Sequence, residues 1–255
     1  MKLQVVESKI RNFSSIGRIT SALKTISFIK IKKIKKEFDN IRESCKELNK
    51  MVEKRFYSNC SKSEHNYTEN EKIKSIRVLF SIDKKFCKDF LFIASSYFKT
   101  IEPNQSDFFI TFGKYAIEFS KFKNLKRNSV ISNLNDSYEV VKEILKKMKT
   151  GKYRLFFDFY KNSESKFISQ EILKPIKEKK LSCSDENLLY LNLTYQIYLA
   201  SIENGLMESS SRAMAMSQAS DTCDDMKHKL ELELNRIRQE KITLEMTEII
   251  GGMNA

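Results

Sequence analysis

The sequence predicts an α/β insert carried on a long antiparallel coiled coil, with the N- and C-terminal helices pairing as a shaft around a small Rossmann-like α/β domain. Three observations carry that expectation. Residues 188–250 contain no proline and a single glycine, Gly205, and their apolar positions recur at three- and four-residue steps until Gly251-Gly252. Residues 4–57 hold a second proline-free helical pattern, interrupted only by Gly17. Between them the period changes, and short apolar runs alternate with helical stretches.

The C-terminal element comes first because it is the longest. At ~1.5 Å per residue it would run roughly 95 Å, far more than one compact domain needs. Its seam is expected to contain Tyr195, Leu199, Ile202, Leu206, Ala213 and Met216, and then Cys223, Leu230, Leu234, Ile237 and Ile249. Its centre, residues 209–216, is mostly small side chains around Arg212, which would keep the shaft thin there. The N-terminal element offers a matching stripe. It runs through Val6, Ile10, Phe13, Ile16, Ile19, Leu23 and Ile26, then through Ile34, Phe38, Ile41, Cys45, Leu48 and Val52.

Four segments follow from this: an N-terminal shaft helix over 1–57, a polar linker over 58–72, an α/β domain over 73–180 and a C-terminal shaft helix over 188–255. Within the α/β domain, residues 76–82 read as a buried strand and 88–99 as a helix. Residues 107–112 read as a second strand, followed by Gly113 and a short helix to about Phe122. Residues 129–131 suggest a third strand, 137–149 a helix, 153–160 a strong strand and 166–173 a further one. Strands alternating with helices imply a mainly parallel sheet.

Charge is unevenly placed along a chain of formal net charge +13. Residues 1–57 carry 15 Lys/Arg against 6 Asp/Glu, whereas 188–255 carry 6 against 10, so the two terminal helices are electrostatically complementary. The excess positive charge calls for nucleic acid, an anionic surface or an acidic protein partner. The run Lys30-Ile31-Lys32-Lys33-Ile34-Lys35-Lys36 concentrates it. A solvated helix face, a phosphate-binding band and a band facing acidic protein loops are all compatible with that run. No aromatic interleaving accompanies it, which disfavours single-strand binding.

Several classes are disfavoured. No stretch approaches the ~18 apolar residues of a spanning helix. The N-terminus lacks a secretory h-region and an Arg-rich transit pattern, so a soluble protein of the cytoplasm or a mature organelle protein is expected. Five cysteines at 45, 60, 87, 183 and 223 form no CxxC unit, and His65 and His228 are far apart. Neither a zinc site nor a disulfide framework is expected, and a reducing compartment fits best. There is no GxxxxGK[ST], GxGxxG or GxSxG motif, and no catalytic residue or cofactor is expected.

The termini carry more than periodicity. Ile10-Arg11 and Arg18-Ile19-Thr20-Ser21-Ala22-Leu23-Lys24 resemble an opening-helix pattern I-(x)n-I-T-x-A-M-x-x-V. Glu208, then Ser211-Arg212-Ala213-Met214-Ala215-Met216 and Ala219-Ser220-Asp221, resemble S-E-x-x-A-R-M-x-A-M-x-x-A-T-x-N. Asn235-Arg236-Ile237-Arg238-Gln239-Glu240-Lys241-Ile242-Thr243-Leu244-Glu245 is similar to N-x-x-R-Q-x-x-I-T-x-E, and Glu248-Ile249-Ile250-Gly251-Gly252 to E-I-[VI]-x-G. Residues 153–157 and 168–175 follow the same family's last strand pair. These patterns belong to the gamma subunit of F-type ATP synthases, which the chain resembles over nearly its whole length. One departure is local: where the family has S-D-[RK]-G-L-C-G, this chain has Asp83-Lys84-Lys85-Phe86-Cys87-Lys88, with both glycines replaced by lysine.

The resemblance implies a central rotor stalk that couples proton-driven rotation of a membrane ring to ATP synthesis or hydrolysis at beta subunits. It implies no bond chemistry of its own. The implied partners are the alpha and beta hexamer, the epsilon subunit and the proteolipid ring, with no nucleic acid and only indirect membrane contact. The implied location is peripheral, on the inner face of a bacterial plasma membrane or the matrix side of a mitochondrial inner membrane. By residue-for-residue correspondence, Arg238, Gln239 and Thr243 would meet the beta-subunit catch loops, and Arg212 and Leu23 the acidic lever loops. Two other readings compete: a rotor of a specialised F-type-like ATPase, and a basic coiled-coil protein that binds nucleic acid or acts as a structural spacer.

Overall fold

The structure, a computed structural model, describes residues 2–57, 74–81, 87–101, 108–113, 127–131, 137–150, 153–175 and 182–253. The expected linker over 58–72, the short helix after Gly113 and most of the lysine-bearing loop at 83–88 lie outside the described residues. The chain forms two compact units, residues 1–29 with 212–255 and residues 30–211. Helix α1 (Lys2–Val52) continues into a π-helical turn at Glu53–Tyr57. Strand β1 (Lys74–Phe80), helix α2 (Lys88–Thr100), strand β2 (Phe108–Phe112) and strand β3 (Arg127–Ile131) follow. Helix α3 (Ser137–Met148), strands β4 (Tyr153–Lys161) and β5 (Lys166–Leu173) and helix α4 (Cys183–Met253) complete the order.

In the unit of residues 30–211 the strands form one sheet in the order β3-β2-β1-β4-β5. Its first four strands are parallel and β5 returns antiparallel to β4. Alternation along each strand sends side chains to two faces. Ile76, Val78 and Phe80 of β1, Ile110 of β2, and Leu155 and Phe157 of β4 face α3 and the first turns of α4. There Val141, Ile144 and Met148 of α3 and Leu189, Leu193 and Ile197 of α4 complete a buried core. Leu79, Phe109, Tyr160 and Phe167 occupy the opposite face, under Phe90, Ala94 and Phe98 of α2. Parallel strands covered on both sides must be apolar at successive positions, and β2 is buried at all five.

The sheet needs one glycine. Gly113 sits at φ +89°, and a Cβ there would stand 2.8 Å from the Ser81 carbonyl oxygen. The two strand ends are also joined directly, Ser81 N–H donating to the Phe112 carbonyl at 2.9 Å.

Helix α4 starts at Cys183, five residues before the expected start of 188. Ser182 Oγ accepts the Asp185 N–H at 3.2 Å and the Asp185 carboxylate accepts the Ser182 N–H at 3.3 Å. This reciprocal pair satisfies N–H groups that a helix start leaves unpaired. Arg55 donates through Nε to Asp185 Oδ1 at 2.8 Å, tying the π-helical turn to the start of α4, while Tyr57 donates to the Lys174 carbonyl at 3.1 Å.

Polar groups within this unit are paired across elements. Asp158 on β4 is fully buried, accepts the Tyr97 hydroxyl at 2.7 Å and lies 3.5 Å from Arg77 Nη1. Loss of hydration pushes its carboxyl above the usual range, and the tyrosine and arginine only partly offset that. The β4–β5 turn is held to α4 by Asn204, whose Oδ1 accepts the Tyr160 N–H at 3.2 Å, and by Glu203, whose carboxylate accepts the Asn162 N–H at 3.2 Å.

Candidate partner-binding face

In the unit of residues 1–29 and 212–255 the two helices meet along a regular seam. On α1 the alternating steps of three and four run Val6, Ile10, Phe13, Gly17, Thr20, Lys24, Ser27, and every one of these positions is buried or half-buried. On α4 the same alternation gives Ala213, Met216, Ser220, Cys223, Lys227, Leu230, Leu234 and Ile237, again all buried or half-buried. The expected stripe therefore needs correcting at Ile16, Ile19 and Ile26, which are 47 to 60 % exposed. Two consecutive steps of three, from Phe13 to Ile16 to Ile19, leave the heptad. Held strictly, the alternation lands on glycine, threonine, lysine and serine instead. Ile249 is likewise exposed and not part of the seam.

Small residues set the approach. A Cβ placed on Gly17 would lie 3.6 Å from Cys223 Cβ. Thr20 Oγ1 is satisfied within its own helix, 2.9 Å from the Gly17 carbonyl, and Ser27 Oγ donates to the Leu23 carbonyl at 2.8 Å. Lys24 Nζ donates across the seam to Ser217 Oγ at 3.0 Å. A lysine at a seam position costs stability but fixes which residues stand opposite one another.

All five expected contact residues belong to this unit. Leu23 and Arg212 are half-buried flanks of the seam. Arg238 is exposed and its Nη2 pairs with Glu7 Oε1 at 3.2 Å, an ion pair the sequence did not announce. Gln239 and Thr243 are exposed, and their carbonyls accept the hydroxyls of Thr243 and Thr247 at 2.9 and 2.7 Å. Both side chains therefore sit on an uninterrupted helix with its backbone groups paired.

From Arg238 to Gly252 every residue is exposed. Ile242, Leu244, Met246, Ile249 and Ile250 are 57 to 63 % exposed within that stretch. A run of large apolar side chains on a bare helix marks an interaction surface. Ile16, Ile19 and Ile26, offset by one position from the seam, add a second apolar line on α1.

Among the described residues no group of three or more His, Cys, Asp or Glu is placed to hold a metal. Cys45, Cys87 and Cys223 are buried thiols and Cys183 is exposed. Burial pushes the Cys45 thiol up to about 11, away from reactivity at neutral pH. No helix of the described residues is long and apolar enough to cross a membrane.

The family profile described as ATP synthase matches residues 2–255. The chain belongs to that family. It is 27 % identical to the ATP synthase gamma chain of Buchnera aphidicola subsp. Melaphis rhois, across 100 % of this chain and 98 % of that one. It is equally 27 % identical to the gamma chain of Fusobacterium nucleatum subsp. nucleatum, across 99 % of each. Among solved structures it is similar in fold to a chain of the Euglena gracilis mitochondrial ATP synthase, described as OSCP/F1/c-ring. That match has a TM-score of 0.66 and 16 % identity, and covers 100 % of this chain and 94 % of that one. A chain of the Tetrahymena thermophila central stalk and c-ring matches with a TM-score of 0.51 at 17 % identity, over 79 % of this chain and 99 % of that one. Long helices at each end of the chain with a small sheet domain between them in sequence are the fold that the Euglena gracilis match shows.

Proposed function

We propose that Arg238, Gln239 and Thr243 meet the catch loops of beta subunits, and that Arg212 and Leu23 face their acidic lever loops. The chain is the central stalk subunit of an F-type ATP synthase, peripheral to the membrane and without bond chemistry of its own. Its partners are the alpha and beta hexamer, the epsilon subunit and the proteolipid ring. Rotation driven by the ring presents different faces of an asymmetric shaft to each beta subunit in turn. A shaft of this kind acts by differential contacts, biasing each nucleotide site toward one of several conformations. The complex is read as standing on the inner face of a bacterial plasma membrane or the matrix side of a mitochondrial inner membrane.

The observation that carries the contact assignment is the bare helix from Arg238 to Gly252. It presents a guanidinium, a carboxamide and a hydroxyl within six residues of one another, among apolar side chains that require a cover. The uneven charge fits as well, because a basic N-terminal helix suits acidic loops through steering and register more than through net affinity. The test is the joint replacement Arg238→Ala and Gln239→Ala in a reconstituted complex. Assembly and ATPase turnover are expected to fall, while Glu7→Ala, which removes only the ion pair within the chain, stays near wild type. Wild-type assembly and turnover in the double variant would end the contact assignment.

A further inference from the structure

A groove lies entirely within the unit of residues 30–211, between β5, the end of α1 with its π-helical turn, and α4. Its volume is about 680 Å³, and an adjoining recess of about 260 Å³ shares Asn49, Gln170 and Gln196 with it. The larger of the two falls within the ~300–1,000 Å³ of ordinary ligand sites. The strand that forms one wall is the last of the sheet.

Four carboxamides line the groove: Asn49, Gln170, Asn192 and Gln196. Asn192 is 1 % exposed and Gln196 7 %, so two of them are built into the interior and are not surface decoration. Asn192 Nδ2 and Gln196 Nε2 both donate to Asn49 Oδ1, at 2.7 and 2.6 Å. An oxygen that accepts twice fixes the Asn49 amide and turns its NH₂ the other way. Each donating amide likewise keeps its oxygen on the far side. Half-buried Asn49 and exposed Gln170 are the amides left to offer the groove both donors and acceptors.

Cations dominate the rim. Lys50, Lys54 and Lys174 border the larger groove, against Glu53 and Glu171. Arg42 and Lys46 border the recess, against Glu203, together with Lys161, which is ion-paired with Glu164 at 2.6 Å. The floor of the recess is aromatic and aliphatic, with Phe157, Phe159 and Leu199.

We propose that this groove holds an extended, acidic peptide segment of a neighbouring subunit, an inference that rests on the chain working within a multisubunit complex. A phosphate group would need donors alone and would be opposed by the three carboxylates. A peptide group needs one donor and one acceptor, which a carboxamide supplies in a single side chain. Acidic side chains of such a segment meet the rim cations outside the Lys161–Glu164 ion pair, its apolar side chains meet the recess floor, and the wall carboxylates accept its N–H groups. Extended segments at a sheet margin are a recurring mode of recognition, with backbone hydrogen bonds giving affinity and flanking pockets giving selectivity.

The test places a photo-crosslinker in the groove of the assembled complex, as Gln170→p-benzoylphenylalanine, at an exposed side chain. The expected product is a crosslink to a contiguous segment of another subunit with more Asp and Glu than Lys and Arg. Its yield should fall by at least about fivefold when Lys50→Glu and Lys54→Glu are added. No crosslink, a crosslink to lipid, a crosslink to a basic segment, or a yield indifferent to charge reversal would each overturn the proposal. Recovery of the chain in the complex is read in the same samples. A chain that is present but uncrosslinked counts against the groove alone, and a chain absent even without the crosslinker counts against the stalk reading. If the variants fail to incorporate, the isolated chain is titrated with a fluorescein-labelled heptapeptide of alternating Glu and Val. Binding about tenfold tighter than its Lys and Val counterpart supports the proposal, and equal or absent binding at about 1 mM overturns it.

Discussion

Gly17 on α1 faces Cys223 on α4 across a gap that one extra carbon would span, since a Cβ at Gly17 would stand 3.6 Å from Cys223 Cβ. That is ordinary van der Waals contact, so the position has room for a methyl group. Gly17→Ala should therefore stabilise the chain, by about 1 kcal/mol from helix propensity. Gly17→Leu should destabilise it by roughly 1–3 kcal/mol through overpacking. Urea unfolding followed by helix circular dichroism measures both. An alanine variant less stable than wild type would contradict the seam geometry.

Asn204 holds the β4–β5 turn by accepting the buried Tyr160 N–H. Asn204→Ala leaves that donor without its acceptor, at a cost of about 1–3 kcal/mol. Faster hydrogen exchange at Tyr160 in the variant, together with a lower unfolding midpoint, is the expected result. Unchanged exchange would mean that the turn is held by other contacts.

Asp158 makes stability depend on pH in a direction opposite to most carboxylates. Its folded-state pKa lies above the ordinary 3.8 because burial disfavours the charged form. The contribution is thus fully present below 3.8 and is lost as pH rises through the folded value. Asp158→Asn removes that slope, so the variant should gain on wild type as pH rises from 3.8 through the folded value. Urea midpoints across that range give the comparison, and a constant difference would show that the group does not titrate there.

Asp185 behaves in the opposite sense. Hydrogen bonds from Arg55 and Ser182 hold its carboxyl down to about 2, so its contribution is present above 3.8 and is lost as pH falls through about 2. In Arg55→Ala, a carbon-detected NMR titration should find the Asp185 midpoint moved up toward 3.8. A midpoint still near 2 would assign the shift to Ser182.

Much of this architecture was legible because long proline-free periodicity and the change of period to short apolar runs are physically unambiguous. The strand pair at 153–161 and 166–173 could be read for the same reason, since β4 is buried at four consecutive positions, 157–160, and β5 carries a buried apolar residue near each end. The seam between residues 13 and 27 could not be read from hydropathy. Its positions are Gly17, Thr20, Lys24 and Ser27, while the isoleucines at 16, 19 and 26 are exposed. Strict alternation of three and four was the available signal, and here it outranks side-chain polarity. The early start of α4 was also encoded, in the Ser182–Asp185 capping pair that precedes the apolar periodicity. The buried cluster of Asp158, Tyr97 and Arg77 draws on three elements far apart in the chain, and no local pattern announces it.

The most direct test of the stalk role is co-purification of this chain with its native complex, followed by ATPase assays with and without it. The account predicts one copy of the chain against about three alpha and three beta chains, in the manner of a heterologous ring closed around a single asymmetric shaft, with turnover lost on its removal. Recovery of the chain alone or with nucleic acid, or turnover unchanged by its removal, would contradict it.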